Sequence, residues 1–280
     1  MRQLSVKKIT KAIKEMAIET NCSLTADVRD RIFEAEKSEP FPVAKNILGK
    51  IHENILIAEE NKMPLCQDTG MACVFLEIGQ DVHFTGGSLE DAINEGVRQG
   101  YEEGYLRKSV VKDPLRRENT GDNTPASITF KLVEGDKVRI VFAPKGFGSE
   151  NMSRIAMLPP SAGAEGVKEF VVNACADAGA NPCPPIVVGV GIGGTFDKVA
   201  LLAKEALLEP IDKPSSDPYY RDLENELLDM INALGIGPQG LGGGTTALAV
   251  RIKTAPTHIA GLPVAVNINC HVSRHGERIL

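Results

Sequence analysis

PPIVVGVGIGGTFDKVALLAKEALL, residues 184–208, decides how the chain is read. Its first half is a short, continuous apolar run bounded by proline and glycine, the pattern of a fully buried strand. Thr195 then stands where a helix N-cap belongs, and residues 196–208 carry apolar side chains at helical spacing. Gly189, Gly191 and Gly194 fit G-x-G-x-x-G between that strand and that helix. A dinucleotide fold also needs a second strand after the helix, ending in an acidic residue about 20 positions on. Here the helix leads instead into a polar linker, EPIDKPSSDP (209–218), and then another helical run, YYRDLENELLDMINALG (219–235). The glycines therefore read as a tight strand-to-helix turn. A dinucleotide-binding oxidoreductase subunit is the remote alternative.

Outward from this stretch, helical and strand patterns mix without a sustained βαβ rhythm. The first 60 residues read as helices: Leu4, Val6, Ile9, Ile13 and Met16 recur with a helix-like period, and two further runs follow at 25–39 and 43–61. MACVFLEIG (71–79) is a short strand, and LEDAINEGVRQGYEEG (89–104) is a helix with Ser88 as N-cap. SITFKLVEGDKVRIVFAP (127–144) predicts a β-hairpin around Glu134, Gly135 and Asp136. A helix over 166–179 ends at Gly179, and 245–255 and 261–270 close the chain as strands. No repeat, low-complexity tract or composition break marks a boundary. The fold class is mixed α/β (α+β): one domain over residues 1–280, with a helical region at 1–60 followed by mixed sheet and flanking helices.

Composition narrows the function. Net charge is −6, and the 31 Lys and Arg are scattered, so no basic stripe exists to neutralise nucleic-acid phosphates. No segment approaches the roughly 20 apolar residues of a membrane span. The N-terminus lacks the apolar core of a signal peptide, which points to the cytoplasm, where thiols stay reduced.

Six cysteines, at 22, 66, 73, 175, 183 and 270, include no C-x-x-C pair. Cys73 lies in an apolar strand and Cys175 on a helix of small residues, both ordinary buried thiols, and Cys22 has no supporting chemistry. Cys66, Cys183 and Cys270 differ: each ends an apolar element in a stiff or polar stretch, PLCQDTG (64–70), NPCPP (181–185) and NINCHVSRH (267–275). Spacing alone leaves structural thiols and a shared metal site both open. If the three converge, they suit a [4Fe–4S] cluster with one iron lacking a thiolate, free to act as a Lewis acid. Asp68 could then exchange a proton with a leaving hydroxyl, His258 could support it, and Arg107 offers a planar fork for a carboxylate. Equally, Asp68 could cap a turn and Arg107 could be a solvated cation.

PLCQDTG, LRKSVV (106–111), NTGDNTPA (119–126), KGFGSEN (145–151), residues 181–198, GIGPQGLGGGTTA (235–247) and NINCHVSRHGER (267–278) occur in one order along nearly the whole chain. In these motifs the sequence resembles the α subunit, or N-terminal catalytic half, of the class I iron–sulfur fumarases and the related L-tartrate dehydratases. The resemblance implies that Cys66, Cys183 and Cys270 ligate a [4Fe–4S] cluster whose remaining iron binds substrate. It implies that Gln67, Arg107 and the backbone at Gly146 and Gly148 help hold a four-carbon dicarboxylate. Asp68 would protonate the departing hydroxyl, with His258 in support. The activity implied is hydro-lyase: fumarate hydratase first, from KGFGSEN and NINCHVSRH, with L-tartrate dehydratase as the alternative. The base belongs to a second domain in that family, so a separate β subunit is expected, in an α2β2 assembly.

Overall fold

A computed structural model describes all 280 residues. The chain divides into two compact units, each gathered from segments far apart in sequence, so no linker announces them. One comprises Met1–Thr25, Ile55–Phe147 and Arg274–Leu280; the other comprises Ala26–Asn54 and Gly148–Ser273.

In the first unit the strands are β1 (Arg2–Ser5), β2 (Met71–Gly79), β3 (Val82–Thr85), β4 (Ser127–Val133), β5 (Val138–Lys145) and β10 (Gly276–Ile279), with helices α1 (Val6–Cys22) and α4 (Leu89–Glu103). β1 and β3 form a parallel pair, so the chain begins as a strand where helical periodicity was expected. Helix α1 starts only at Val6, and four residues are too few for either period to be distinctive. Ile9, Ile13 and Met16 of α1 and Ile93, Val97 and Tyr101 of α4 pack with Val74, Leu76, Ile140 and Phe142 into one core. Ser88 caps α4 as its sequence implies, accepting the Asp91 N–H at 3.3 Å.

The expected hairpin does not form. The four-stranded sheet runs β10-β5-β2-β4, with β2 inserted between β4, which it meets in parallel, and β5, which it meets antiparallel. The reason is burial. Five of the nine β2 residues are buried, whereas none of the seven in β4 is, so the more apolar strand takes the centre and β4 becomes an edge. Gly79 permits the insertion, because a Cβ there would lie 2.3 Å from the Gly135 carbonyl oxygen.

The second unit is a three-layer arrangement on a sheet of order β6-β9-β7-β8, built from β6 (Arg154–Leu158), β7 (Ile186–Gly193), β8 (Ala247–Ala255) and β9 (Leu262–Asn269). On one face, Val188 and Val190 pack against α6 (Gly163–Ala178) and α8 (Pro218–Ala233). On the other, helix α7 (Phe196–Ala206) lies on β7. A Cβ at Gly189 would lie 2.2 Å from the Ala203 carbonyl, and one at Gly191 would lie 2.3 Å from that of Val199. The G-x-G pair is thus accounted for by the seating of α7. Thr195 sits at the N-cap of α7, but its hydroxyl meets the Asp197 carboxylate at 2.6 Å rather than a helix amide. The next strand, β8, is parallel to β7 and ends in lysine, threonine and alanine rather than an acid.

Candidate active site

PLCQDTG folds into a turn held by hydrogen bonds within the first unit. The N–H of Leu65 reaches the Asn21 carbonyl (2.9 Å), anchoring the entry. Cys66 is half-buried, and its Sγ accepts the Asp68 N–H at 3.4 Å and lies 3.3 Å from Gln67 Oε1. Both carboxylate oxygens of Asp68 are held by backbone amides: Oδ1 by Gly70 N (3.0 Å) and Oδ2 by Phe147 N (2.9 Å). Its aim is therefore set by the main chain rather than by a mobile partner. Gly70 has φ +76°, and a side chain there would meet the Lys145 backbone at 2.8 Å. Gly146 leaves open the space beside Asp68, since its Cβ would lie 3.3 Å from Oδ2.

Four side chains absent from the sequence-derived set hold this turn. Buried Tyr101, on α4, points its hydroxyl at the carbonyls of Thr69 (2.8 Å) and Gly70 (2.9 Å). Buried Asn123 accepts the N–H groups of Ser109 (2.7 Å) and Val110 (3.2 Å) and donates to the Gly70 carbonyl (3.2 Å). Thr69 Oγ1 donates to the carbonyl of Arg107 (3.1 Å), so the Arg107 backbone is fixed while its side chain stays exposed. Buried Arg274 donates from Nη2 to the Asp68 carbonyl (2.5 Å), and its Nε and Nη1 have no hydrogen-bond partner. Asn123 and Arg274 lie inside quoted motifs, but nothing local in sequence distinguishes a residue that binds backbone from one that binds substrate.

The second unit holds Cys183 and Cys270. Cys183 is exposed and has φ +54°, a left-handed conformation uncommon outside glycine. Cys270 is half-buried and directly follows β9. His271 joins the two loops: its backbone N–H donates to the Cys183 carbonyl at 3.3 Å, and its ring Nδ1 lies 3.0 Å from the same oxygen. Gly148 is beside this loop, its would-be Cβ 3.5 Å from the Asn181 carbonyl. The glycine-rich segment 240–244 also packs here, with Gly240 against Ala180 and Gly243 against Ala44.

His258 is not brought to these cysteines. It lies exposed in the β8–β9 turn, where its Nδ1 accepts the Ala260 N–H at 3.2 Å and Thr257 bonds to the Gly194 carbonyl. Cys183 precedes the opposite end of β7, so the strand's length, roughly 25 Å, separates them. Of the remaining thiols, Cys22, Cys73 and Cys175 are buried. Burial alone pushes the Cys175 thiol up to about 12.

In the first unit, then, Cys66, Gln67, Asp68, the Arg107 backbone and Gly146 stand together; in the second, Cys183, Cys270 and Gly148 do. No three His, Cys, Asp or Glu side chains gather at the distance a single metal ion needs. A four-iron cluster takes one thiolate per iron and so draws on ligands set farther apart. Thiolate is the ligand chemistry such a group takes, and Cys66, Cys183 and Cys270 are the three thiols that are not buried.

A family model described as Fumarate hydratase (Fumerase) matches residues 10–278. The chain is 46% identical over 273 residues to the putative L(+)-tartrate dehydratase subunit alpha of Methanocaldococcus jannaschii, with 95% of each chain covered. It is 31% identical over 279 residues to the L(+)-tartrate dehydratase subunit alpha of Escherichia coli strain UTI89, covering 98% of this chain and 91% of that one. The subunit of the same name from Shigella sonnei is 30% identical over 283 residues, covering 100% and 93%.

Proposed function

This chain belongs to the fumarate hydratase (Fumerase) family, and from that premise we propose that it is the α subunit of an iron–sulfur hydro-lyase that dehydrates L(+)-tartrate. The names of the relatives support tartrate over the malate and fumarate that the sequence motifs put first. The description of the family model keeps fumarate hydratase as the second reading. Both substrates are four-carbon diacids that lose a hydroxyl from one carbon and a proton from the next. With malate the product is fumarate; with tartrate it is an enol that tautomerises to a 2-oxo diacid.

The observation that carries the reading is the Cys66–Gln67–Asp68 turn, where a thiol and a main-chain-held carboxylate are two residues apart. Cys66, Cys183 and Cys270 would hold a [4Fe–4S] cluster. When bound, that group supplies an open iron, a Lewis acid toward a substrate hydroxyl and carboxylate. Asp68 passes a proton to the departing hydroxyl from a position its two backbone amides hold. Gln67 supplies a hydrogen bond, the Arg107 guanidinium pairs with a substrate carboxylate, and the backbone at Gly146 and Gly148 lets the substrate approach closely. His258 enters as a supporting residue from the resemblance alone, since it lies a strand's length from Cys183 and Cys270.

The base that takes the carbon-bound proton is assigned to a separate β subunit, and the words "subunit alpha" in the relatives' names support such a partner. An α2β2 assembly in the cytoplasm completes the proposal; no helix of the chain is long and apolar enough to cross a membrane.

The test is anaerobic co-expression with the partner subunit, followed by iron, acid-labile sulfide and kcat/KM for L(+)-tartrate and (S)-malate. About four iron and four sulfide per chain are expected. A site that hydrogen-bonds both hydroxyls rejects the substrate lacking one, so tartrate should be favoured by about tenfold or more. A preference for (S)-malate would replace tartrate with the fumarase reading. Absence of iron and sulfide after anaerobic reconstitution would end the cluster mechanism for both.

A further inference from the structure

The carbonyls of Cys183 and Pro184 are consecutive, and each is met by two nitrogens of a single residue. The Cys183 oxygen is met by the backbone N–H of His271 (3.3 Å) and by its ring Nδ1 (3.0 Å). The Pro184 oxygen is met by the backbone N–H of Gln239 (2.8 Å) and by its side-chain amide (2.9 Å). In both cases one residue brings a main-chain N–H and a side-chain nitrogen to the same oxygen. Nδ1 of His271 thus lies between two partners, the Cys183 oxygen and the Gln239 amide nitrogen at 3.3 Å, and meets one of them in either tautomer.

This double grip acts on strained backbone. Cys183 has φ +54° and Gln239 has φ +55°, and neither is glycine. Such conformations persist only where the surroundings over-determine them, and they cluster at functional sites. Gly240 closes the arrangement, because its would-be Cβ lies 2.3 Å from that of Ala180, three residues before Cys183. The chain thus pins both peptide groups next to one thiol, using a residue adjacent to the other.

We propose that Gln239 and His271 are positioning residues that set Cys183 and Cys270 in cluster-binding geometry before any cluster arrives. This rests on the cluster reading above. Preorganisation lowers the ordering cost of binding, so the pair governs cluster capture and retention. Neither residue touches the reacting substrate in this role.

The test compares wild type with Gln239→Ala, His271→Ala and His271→Asn, whose side-chain amide can replace the ring nitrogen as donor or acceptor. Each is reconstituted anaerobically in complex with the partner subunit. Iron and sulfide content, the electron paramagnetic resonance spectrum of the cluster after one-electron reduction by dithionite, and its rate of loss to a chelator are read alongside the unfolding midpoint. The expected result is at least tenfold faster cluster loss and an altered spectrum in both alanine variants, at a nearly unchanged midpoint, with retention recovered in His271→Asn. If His271→Ala fails to fold, Gln239→Ala carries the test by itself. Wild-type spectra and loss rates in the alanine variants overturn the inference, as does cluster loss that merely tracks a lowered midpoint. A wild-type protein that takes up no cluster overturns the underlying cluster reading instead.

Discussion

Asp68 keeps both carboxylate oxygens on backbone amides, so replacing it by asparagine changes chemistry more than shape. One amide N–H then faces an NH₂ group instead of an acceptor, a cost of about 1–3 kcal/mol. With the partner present, kcat for Asp68→Asn should fall by roughly 10²–10⁴, the usual worth of a positioned proton donor. Steady-state kinetics with a parallel melting curve separates the two effects. Tyr101→Phe tests the support beneath that residue. It leaves the Thr69 and Gly70 carbonyls without their shared buried donor and should destabilise by about 1–3 kcal/mol in denaturant titration. Cys175 gives a pH signature, because burial pushes its thiol up to about 12 in the fold against an ordinary 9. A folded pKa raised above the unfolded one stabilises fully below pH 9, and that contribution is lost between about 9 and 12. Alkylation at pH 8 should leave Cys175 unlabelled until the protein unfolds, as mass spectrometry of the labelled peptides will report.

At the scale of elements, the glycines of β7 distinguish packing from nucleotide binding. Gly191→Ala drives a methyl group into the Val199 carbonyl of α7, and backbone cannot swing aside as a flexible side chain can. A loss of about 1–3 kcal/mol is expected, read from the denaturant midpoint. Wild-type stability recovered in that variant would contradict the packing account of the glycines. Long elements were legible in the sequence. The apolar period of α1, the Ser88 cap and the boundaries of β2 emerge from local pattern, because those features depend on neighbours within a few residues. β1 and β10 were not legible, since each is four residues long and owes its strand character to a partner more than 75 residues away in sequence. The expected hairpin failed for a related reason. Its two strands carry adequate local signals, but β2 competes for the same edge with more apolar surface and wins the central place.

At the scale of the whole molecule, the proposed division of labour with a partner subunit means that the chain alone should be inactive. Titrating in the partner subunit should raise dehydratase activity to a plateau at one partner per chain, and Cys270→Ser should leave that plateau near zero with its cluster degraded or lost. Activity of the isolated chain at the plateau rate would contradict the division of labour. The ordered motifs around Cys66, Cys183 and Cys270, and the types of the long elements, were set by the sequence itself. They rest on residue identity and on the 2.0 and 3.6 periods, which need no knowledge of distant partners. Only the tertiary structure decided that β2 separates β4 from β5, that α7 fills the space above Gly189 and Gly191, and that Tyr101, Asn123 and Arg274 hold the Asp68 turn. It alone joined the Cys183 and Cys270 loops through His271 and left His258 at the far end of their sheet. Those outcomes turn on which remote segments bury most apolar surface and which buried carbonyls still need a donor, and neither is written in any local stretch of chain.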